Sequence, residues 1–363
     1  MQKLVTKIGV IDADLIGRKN HRFPNLALMK ISSFFGGAEL LTSYENLELY
    51  DKIYISKVFT DTPFPEEVAK RANVVVGGTG FYFDKAPDLP FEIEHSMPDY
   101  HLYDKWLKGK PMTTAYKEYR DYSIGFMTRG CFRRCGFCVN KKYNRVQAHS
   151  PLLEFLDETR PKICLLDDNI LGFKGWEKVW DELDEAGKPF KFKQGLDERL
   201  LTDEKCSRIF NSRYDGYYTF AFDNVADYEL IHKKLEMIRK HTRRRNITFY
   251  VLCGYEGTDL EDITATFKRI ELLMEYGCLP YIMRYQSRDA KPYEASEFRD
   301  VYITLARWCN QPSMFKKNSF VEFCELNQRQ IKTEGTLCTA MRGFKKVRGQ
   351  IPDKYLEMKW RAK

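Results

Sequence analysis

Cys131, Cys135 and Cys138 stand in one short stretch, Cys131-Phe132-Arg133-Arg134-Cys135-Gly136-Phe137-Cys138, with Gly130 just before it. The spacing is C-x3-C-x2-C, and an aromatic residue precedes the last cysteine. Three thiolates this close together can hold three corners of a four-iron cube. No fourth ligand follows nearby, so one iron of such a [4Fe-4S] cluster stays open. An open iron on a reducible cluster is a place for chemistry as well as for electron storage. The competing readings need ligands that the stretch does not supply. A zinc knuckle takes four, usually as two pairs, and the next candidates, His149 and Cys164, complete no zinc spacing. A ferredoxin site adds a fourth cysteine and often a proline. The cluster is therefore favoured over zinc.

Composition bounds what the loop can serve. The chain has 363 residues, enough for two domains. It has no run of about 18 apolar residues, so neither a membrane-spanning helix nor a membrane partner is expected. Met1 to Ile8 leads straight into a strand-like segment without the apolar core of a signal peptide. Of the ten cysteines, seven are scattered singly, which suits reduced thiols in a cytoplasm. Net charge is +8, from 59 basic and 51 acidic residues. The excess gathers at Arg243-Arg244-Arg245, at Lys316-Lys317 and in a basic tail from Arg342 to Lys363. Such patches can meet nucleic acid, an acidic peptide or a phosphorylated metabolite. A solvated face or a frayed tail is the plainer reading.

The elements around the loop have to position it. Before it, Lys7–Ile16, Asp51–Ser56 and Asn73–Gly77 read as strands, and Asn25–Phe35 and Pro65–Arg71 as helices. This alternation predicts a small parallel sheet with helices on both faces, a Rossmann-like domain over residues 1–104. Gly77-Gly78-Thr79-Gly80 predicts a tight turn rather than a phosphate cradle. Residues 105–120 are expected to link the domains. From Tyr122 onward the pattern is strand, loop, helix, repeated. Six strands are expected near 123–127, 162–166, 190–194, 217–222, 247–253 and 279–285, with helices at 176–186, 202–211, 226–241 and 260–276. Six such units make a partial (β/α)6 TIM-type barrel over 121–290, with chemistry at the C-terminal ends of its strands. A helical extension and the short basic tail fill 291–363. The overall class is α/β.

The cysteine loop, with Phe137 before its last cysteine, resembles the signature of the radical S-adenosylmethionine superfamily. The resemblance implies that Cys131, Cys135 and Cys138 hold the cluster and that its open iron chelates the amino and carboxylate groups of S-adenosyl-L-methionine. Reductive cleavage would then give methionine and a 5'-deoxyadenosyl radical, which takes hydrogen from a substrate. An electron donor such as flavodoxin or ferredoxin is implied as a partner. By the same resemblance, Asp167, Asp168 and Asn169 bind the methionine amino group and Asp223 contacts the cofactor. Cys253-Gly254-Tyr255 packs on adenine, and Phe137 touches the adenine edge. Asp168-Asn169 and Asp223-Asn224 could equally cap helices. Gln194, Arg199, Arg284 and Tyr285 follow strands and line the expected mouth, where packing is the commoner use of such side chains.

Residues 1–104 resemble the cobalamin-binding-like domain that precedes many of these enzymes. The likeness rests on the Pro24–Phe35 helix, Phe59-Thr60-Asp61-Thr62, Val74–Gly78 and Pro98-Asp99-Tyr100. That suggests cobalamin, but the chain lacks Asp-x-His-x-x-Gly, and His21 lacks the right neighbours. Cys309, Cys324 and Cys338 pose the question of an auxiliary cluster; their wide spacing favours buried thiols. The substrate is left open between nucleic acid, peptide and metabolite. Alternatives are tRNA-type modification or methyl transfer by the same chemistry, and a non-catalytic metal-stabilised RNA binder. Methylthiotransferases acting on tRNA usually add three N-terminal cysteines, whereas this chain has none before Cys131.

Overall fold

Every residue of Ile8–Asp12 is buried, which is how a strand flanked by parallel neighbours and covered on both faces reads. The computed structural model describes residues 6–19, 21–111, 113 and 116–360. The first five residues, positions 112, 114 and 115 of the expected linker and 361–363 of the expected tail lie outside the described residues. The architecture is α/β with parallel sheets. The chain divides into two compact units, Met1–Arg134 with Cys138–Lys193, and Cys135–Phe137 with Gln194–Lys363.

The first unit begins β1 (Ile8–Asp12), α1 (Ala13–Gly17), α2 (Leu26–Phe34), β2 (Glu39–Leu40), β3 (Lys52–Ser56), α3 (Glu66–Ala69), β4 (Val74–Gly77), α4 (Thr79–Tyr82) and α5 (Phe91–Glu94). The four strands pair in parallel in the order β2-β1-β3-β4. The Asn25 side chain accepts from Leu28 N at 3.3 Å and so starts α2. Two short helices follow, α6 (Asp104–Leu107) and α7 (Lys117–Arg120). Around α7 the chain is packed: Tyr119 is buried, and buried Glu118 accepts from Lys191 Nζ at 2.9 Å.

Next come β5 (Tyr122–Gly125), β6 (Thr128–Arg129), β7 (Gln147–Ala148), β8 (Lys162–Leu165), α8 (Trp176–Glu185) and β9 (Phe190–Phe192). Strands β5, β8 and β9 form a second parallel sheet in that order. On one face Tyr122, Ile124, Cys164 and Leu166 pack with Leu26 of α2, flanked by Phe23 and Phe126. The other face sets Phe190 and Phe192 against Trp180 of α8, with ring centres 6.1 and 5.3 Å away. Buried Arg160 ties these parts together. Its guanidinium donates to the carbonyls of Tyr100, Tyr119 and Tyr122 at 2.9, 2.9 and 3.2 Å.

The second unit holds α9 (Asp203–Asn211), β10 (Tyr218–Ala221), α10 (Tyr228–His241), β11 (Ile247–Cys253), α11 (Leu260–Glu275) and β12 (Leu279–Arg284). Its strands pair in parallel as β10-β11-β12. The Thr202 and Asp259 side chains accept from backbone N–H groups in the first turns of α9 and α11. Then follow α12 (Pro292–Ala295), α13 (Arg299–Cys309), α14 (Pro312–Phe315), α15 (Phe320–Gln328), α16 (Thr339–Val347) and α17 (Asp353–Glu357). The expected basic tail is therefore corrected to packed helix. Ala340, Phe344, Val347, Tyr355 and Leu356 are buried, and a Cβ on Gly343 would stand 2.9 Å from the Asp300 backbone. The basic side chains of this segment occupy the outer face of an amphipathic helix. No described helix is long and apolar enough to cross a membrane.

Candidate functional site

The cysteine loop leaves the C-terminal end of β5 and is closed at its base by the antiparallel β6–β7 pair, Thr128 opposite Ala148 and Arg129 opposite Gln147. Gly130 turns the chain with φ +93°, and a Cβ there would run into the Arg145 carbonyl. Both the conformation and the close approach require glycine.

The end of β8 braces this base. Asp167, fully buried, accepts from Thr128 N and Thr128 Oγ1 at 2.6 Å each and from Met127 N at 3.3 Å. Burial pushes its carboxyl up to about 6, against the pull of those hydrogen bonds. Asp168 is half-buried and accepts from Gly130 N at 2.7 Å. Asn169 Nδ2 lies 3.3 Å from Cys131 Sγ. The backbone N–H of Arg133 donates to Cys131 Sγ at 3.3 Å, and that of Asn140 to Cys138 Sγ at 3.4 Å. Of the residues expected at the site, Cys131, Asp168 and Asn169 thus meet, with Asp167 as the brace beneath them.

Beside β6 lies a polar cluster that local sequence patterns did not point to. Glu94 Oε1 faces Lys30 Nζ at 3.0 Å, and Arg129 and His149 Nε2 at 3.4 Å each. Burial, helped by the charge of Arg129, pushes His149 down to about 4. Its ring stacks on His95 at 5.2 Å, and His95 Nδ1 sits 2.7 Å from Glu154.

Residues 135–137 belong to the second unit. There the Phe137 ring meets Tyr255 edge-on at 5.4 Å, and Tyr255 meets Tyr285 at 4.8 Å. A Cβ on Gly136 would land on the Tyr255 hydroxyl, so that oxygen fills the space a side chain would take. Tyr255 follows Gly254, which has φ +72° and donates its N–H to Asp262 Oδ2 at 2.9 Å. The Tyr302 hydroxyl of α13 donates to the same oxygen at 2.8 Å. Cys253 is buried, and burial pushes its thiol up to about 12. The C-terminal helices thereby hold the β11 loop, and that loop holds Gly136 and Phe137. No sequence pattern signals Asp262 or Tyr302, because their partners lie 8 and 40 residues away.

Asp223 is half-buried after β10, and burial raises its carboxyl to about 6 although Arg269 and Arg199 pull it down. Buried Arg269 of α11 donates to the Phe222 and Asp223 carbonyls at 2.9 and 2.7 Å. Asn224 Nδ2 donates to Glu256 at 3.0 Å, joining the loops after β10 and β11. Gln194 is exposed. Arg199 is ion-paired with Asp197 and Asp227 at 2.8 and 3.5 Å. Arg284 stacks over the Tyr293 ring at 4.7 Å.

All ten cysteines are thiols rather than disulfides. Among the described residues no three His, Cys, Asp or Glu side chains gather tightly enough for a metal ion. A single tetrahedral zinc, with bonds of about 2.3 Å, needs its sulfurs within about 4 Å of each other. A cube puts each thiolate on a separate iron, and hydrogen bonds to the sulfurs tune its potential. The Cys131 and Cys138 sulfurs each accept a backbone N–H, and Asn169 Nδ2 lies beside Cys131. Cys338 instead caps α16, accepting from Met341 N at 3.3 Å, and Cys309 and Cys324 are buried.

Cobalamin does not fit. In an open parallel sheet the ligand crevice lies where strand order reverses, here between β1 and β3. Asp14 fills that place, accepting from Val58 N at 2.6 Å, from Phe59 N at 3.4 Å and from Thr62 Oγ1. Cβ atoms on Gly78 or Gly80 would run into the Lys57 carbonyl. His21 stands 3.6 Å from Asp12. Burial lowers its pKa, but Asp12 and Asp14 outweigh burial and raise it.

No protein-family model matches the chain, and no curated protein gives a significant match.

Proposed function

We propose that this protein is a radical S-adenosylmethionine enzyme, with Cys131, Cys135 and Cys138 as the ligands of a [4Fe-4S] cluster. The observation that carries the reading is the C-x3-C-x2-C set on a closed loop at the end of β5, with amide donors on the Cys131 and Cys138 sulfurs. When bound, the cluster and S-adenosylmethionine supply reductive carbon–sulfur cleavage and a 5'-deoxyadenosyl radical for hydrogen abstraction. The chain's own residues position and shield. Asp167 fixes the loop base, Asp168 fixes Gly130, and Asn169 donates toward the Cys131 sulfur. Phe137, held by Tyr255, offers an aromatic edge to adenine, and Gly254 offers backbone. Asp168 and Asp223 are the carboxylates available to the cofactor's cationic and hydroxyl groups. The six β/α repeats are read as a partial (β/α)6 barrel and the β2-β1-β3-β4 sheet as a Rossmann-like domain serving as scaffold. A hydrogen-bearing substrate and a one-electron donor complete the reaction.

Anaerobic reconstitution tests this. About four irons per chain are expected, and 5'-deoxyadenosine should form once the protein is reduced. Cys135→Ala should abolish that product. Its unchanged formation by a folded Cys135→Ala protein would sink the proposal.

A further inference from the structure

The polar cluster beside β6 has no part in the function proposed above, yet its members come from every element around the base of the cysteine loop. Lys30 lies on α2, Glu94 ends α5, Arg129 belongs to β6, and His149 directly follows β7. The two helices and the two strands meet at the Glu94 carboxylate. Lys30 Nζ, on a side chain only 5% exposed, donates to Glu94 Oε1 at 3.0 Å and to the Glu94 carbonyl. Arg129 and His149 reach the same Oε1 at 3.4 Å each. They bracket the loop: the chain enters it at Arg129 and leaves it just before His149, whose N–H donates to the Met127 carbonyl at 2.9 Å. One carboxylate therefore faces both ends of the loop and is itself held by α2. Two permanent cations, Lys30 and Arg129, share it. The other acid nearby, Glu154, is taken by His95 at 2.7 Å, and the His95 ring stacks on His149 at 5.2 Å. The Arg129 guanidinium lies over the Phe126 ring at 3.4 Å, and its Nε has no hydrogen-bond partner among the described residues. A proton on His149 would thus add a third positive charge with no acid left to meet it. Burial and then Arg129 hold its pKa down at about 4, against the pull of Glu94.

We propose that Glu94 and His149 form a latch on the cysteine loop: Arg129 and neutral His149 clip its two ends to the Glu94 carboxylate, and a proton taken up by His149 from solvent releases the clip. The inference goes beyond the function proposed above, because it concerns the frame of the loop and not what the loop holds. Both are positioning residues. Neutral His149 presents Nε2 to Glu94 and Nδ1 to the Ser150 hydroxyl at 3.0 Å. Strands of two residues, β6 and β7, have too few ladder bonds to keep this base shut by themselves. The direction follows from linkage. A histidine whose pKa is lower in the latched form than when released binds its proton more readily once released. The latch is therefore fully present above the ordinary 6.5 and is lost as pH falls toward about 4.

The test follows amide hydrogen exchange in the full chain at about pH 7 and about pH 5, each rate divided by its intrinsic value at that pH. The reporters are the amides of 127–130 and 147–150, with β1 and β3 as internal controls. Over this interval the wild type should lose about tenfold more protection at the reporters than His149→Gln, which keeps a neutral amide in that place. Asp167 titrates near 6 beside the same strands, but it does so in both proteins, so the difference between the two is what is read. Glu94→Gln leaves Lys30 and Arg129 without their counter-charge and should lose about tenfold in protection at the reporters already at about pH 7, with β1 and β3 unchanged. Parallel behaviour of the wild type and His149→Gln overturns release by a proton. Unchanged reporters in Glu94→Gln overturn the latch itself. So does an equal loss in β1 and β3, which would give Glu94 to the whole scaffold rather than to the loop. None of these readings depends on what the cysteines hold.

Discussion

At Gly136 the smallest possible change, one methyl group, meets the Tyr255 hydroxyl. Gly136→Ala should cost about 1–3 kcal/mol, the usual range for overpacking, read as a lower denaturant midpoint in two independent probes of unfolding. Adding Tyr255→Phe in the same chain removes the obstructing oxygen and should restore most of it. A double variant as impaired as the single one would show that the contact is not the cause. The C-x3-C-x2-C grouping is visible in the sequence because its spacing is local. Gly136 looked like one more glycine in that loop, since nothing nearby announces a tyrosine far downstream. The resemblance gave Asp167 a cofactor role, and in the structure both its oxygens accept hydrogen bonds from β6 and its approach.

The loop base belongs to the scale of elements. Strands of two residues, β6 and β7, have little pairing of their own, so Asp167 carries much of their placement. Asp167→Ala leaves the Met127 and Thr128 N–H groups without their carboxylate, and each orphaned buried donor costs about 1–3 kcal/mol. We expect a loss of about 3 kcal/mol in a denaturation curve. A variant with an unchanged denaturation midpoint would remove Asp167 from the positioning of the loop. The nine longer strands were legible in outline because their apolar runs, such as Ile247–Cys253, are bounded by polar or glycine residues. The pairs Glu39–Leu40, Thr128–Arg129 and Gln147–Ala148 were not, because two residues hold no period. The end of the chain misled because charge at Lys345, Lys346 and Arg348 masked Ala340, Phe344 and Val347, which lie on one buried helical face.

For the whole molecule, buried acids set the response to pH. Glu198 is almost fully buried and accepts from Ala221 N at 3.0 Å. Burial pushes its carboxyl up to about 8 from an ordinary 4.5. The folded state therefore holds this proton more tightly than the unfolded chain. The stability it contributes is present below about pH 4.5 and lost as pH rises toward about 8. Asp167 and Asp223, each near 6, act in the same direction over a lower range. Thermal midpoints should thus fall between pH 6 and pH 8 in the wild type and fall less in Glu198→Gln, the two aspartates contributing equally to both proteins. Parallel profiles for the two proteins would contradict the assignment.

The contact between Gly136 and Tyr255 also sets a clock. Roughly 120 residues must be added after the glycine before the tyrosine exists. At ribosomal speeds of about 5–20 residues per second, that interval is on the order of ten seconds. During it the nascent chain presents its three thiols without the aromatic support that later fixes the middle of their loop. A segment that meets the loop in that interval finds it unbraced, whereas after synthesis it is held. The order of manufacture is written into how far apart along the chain the two residues stand.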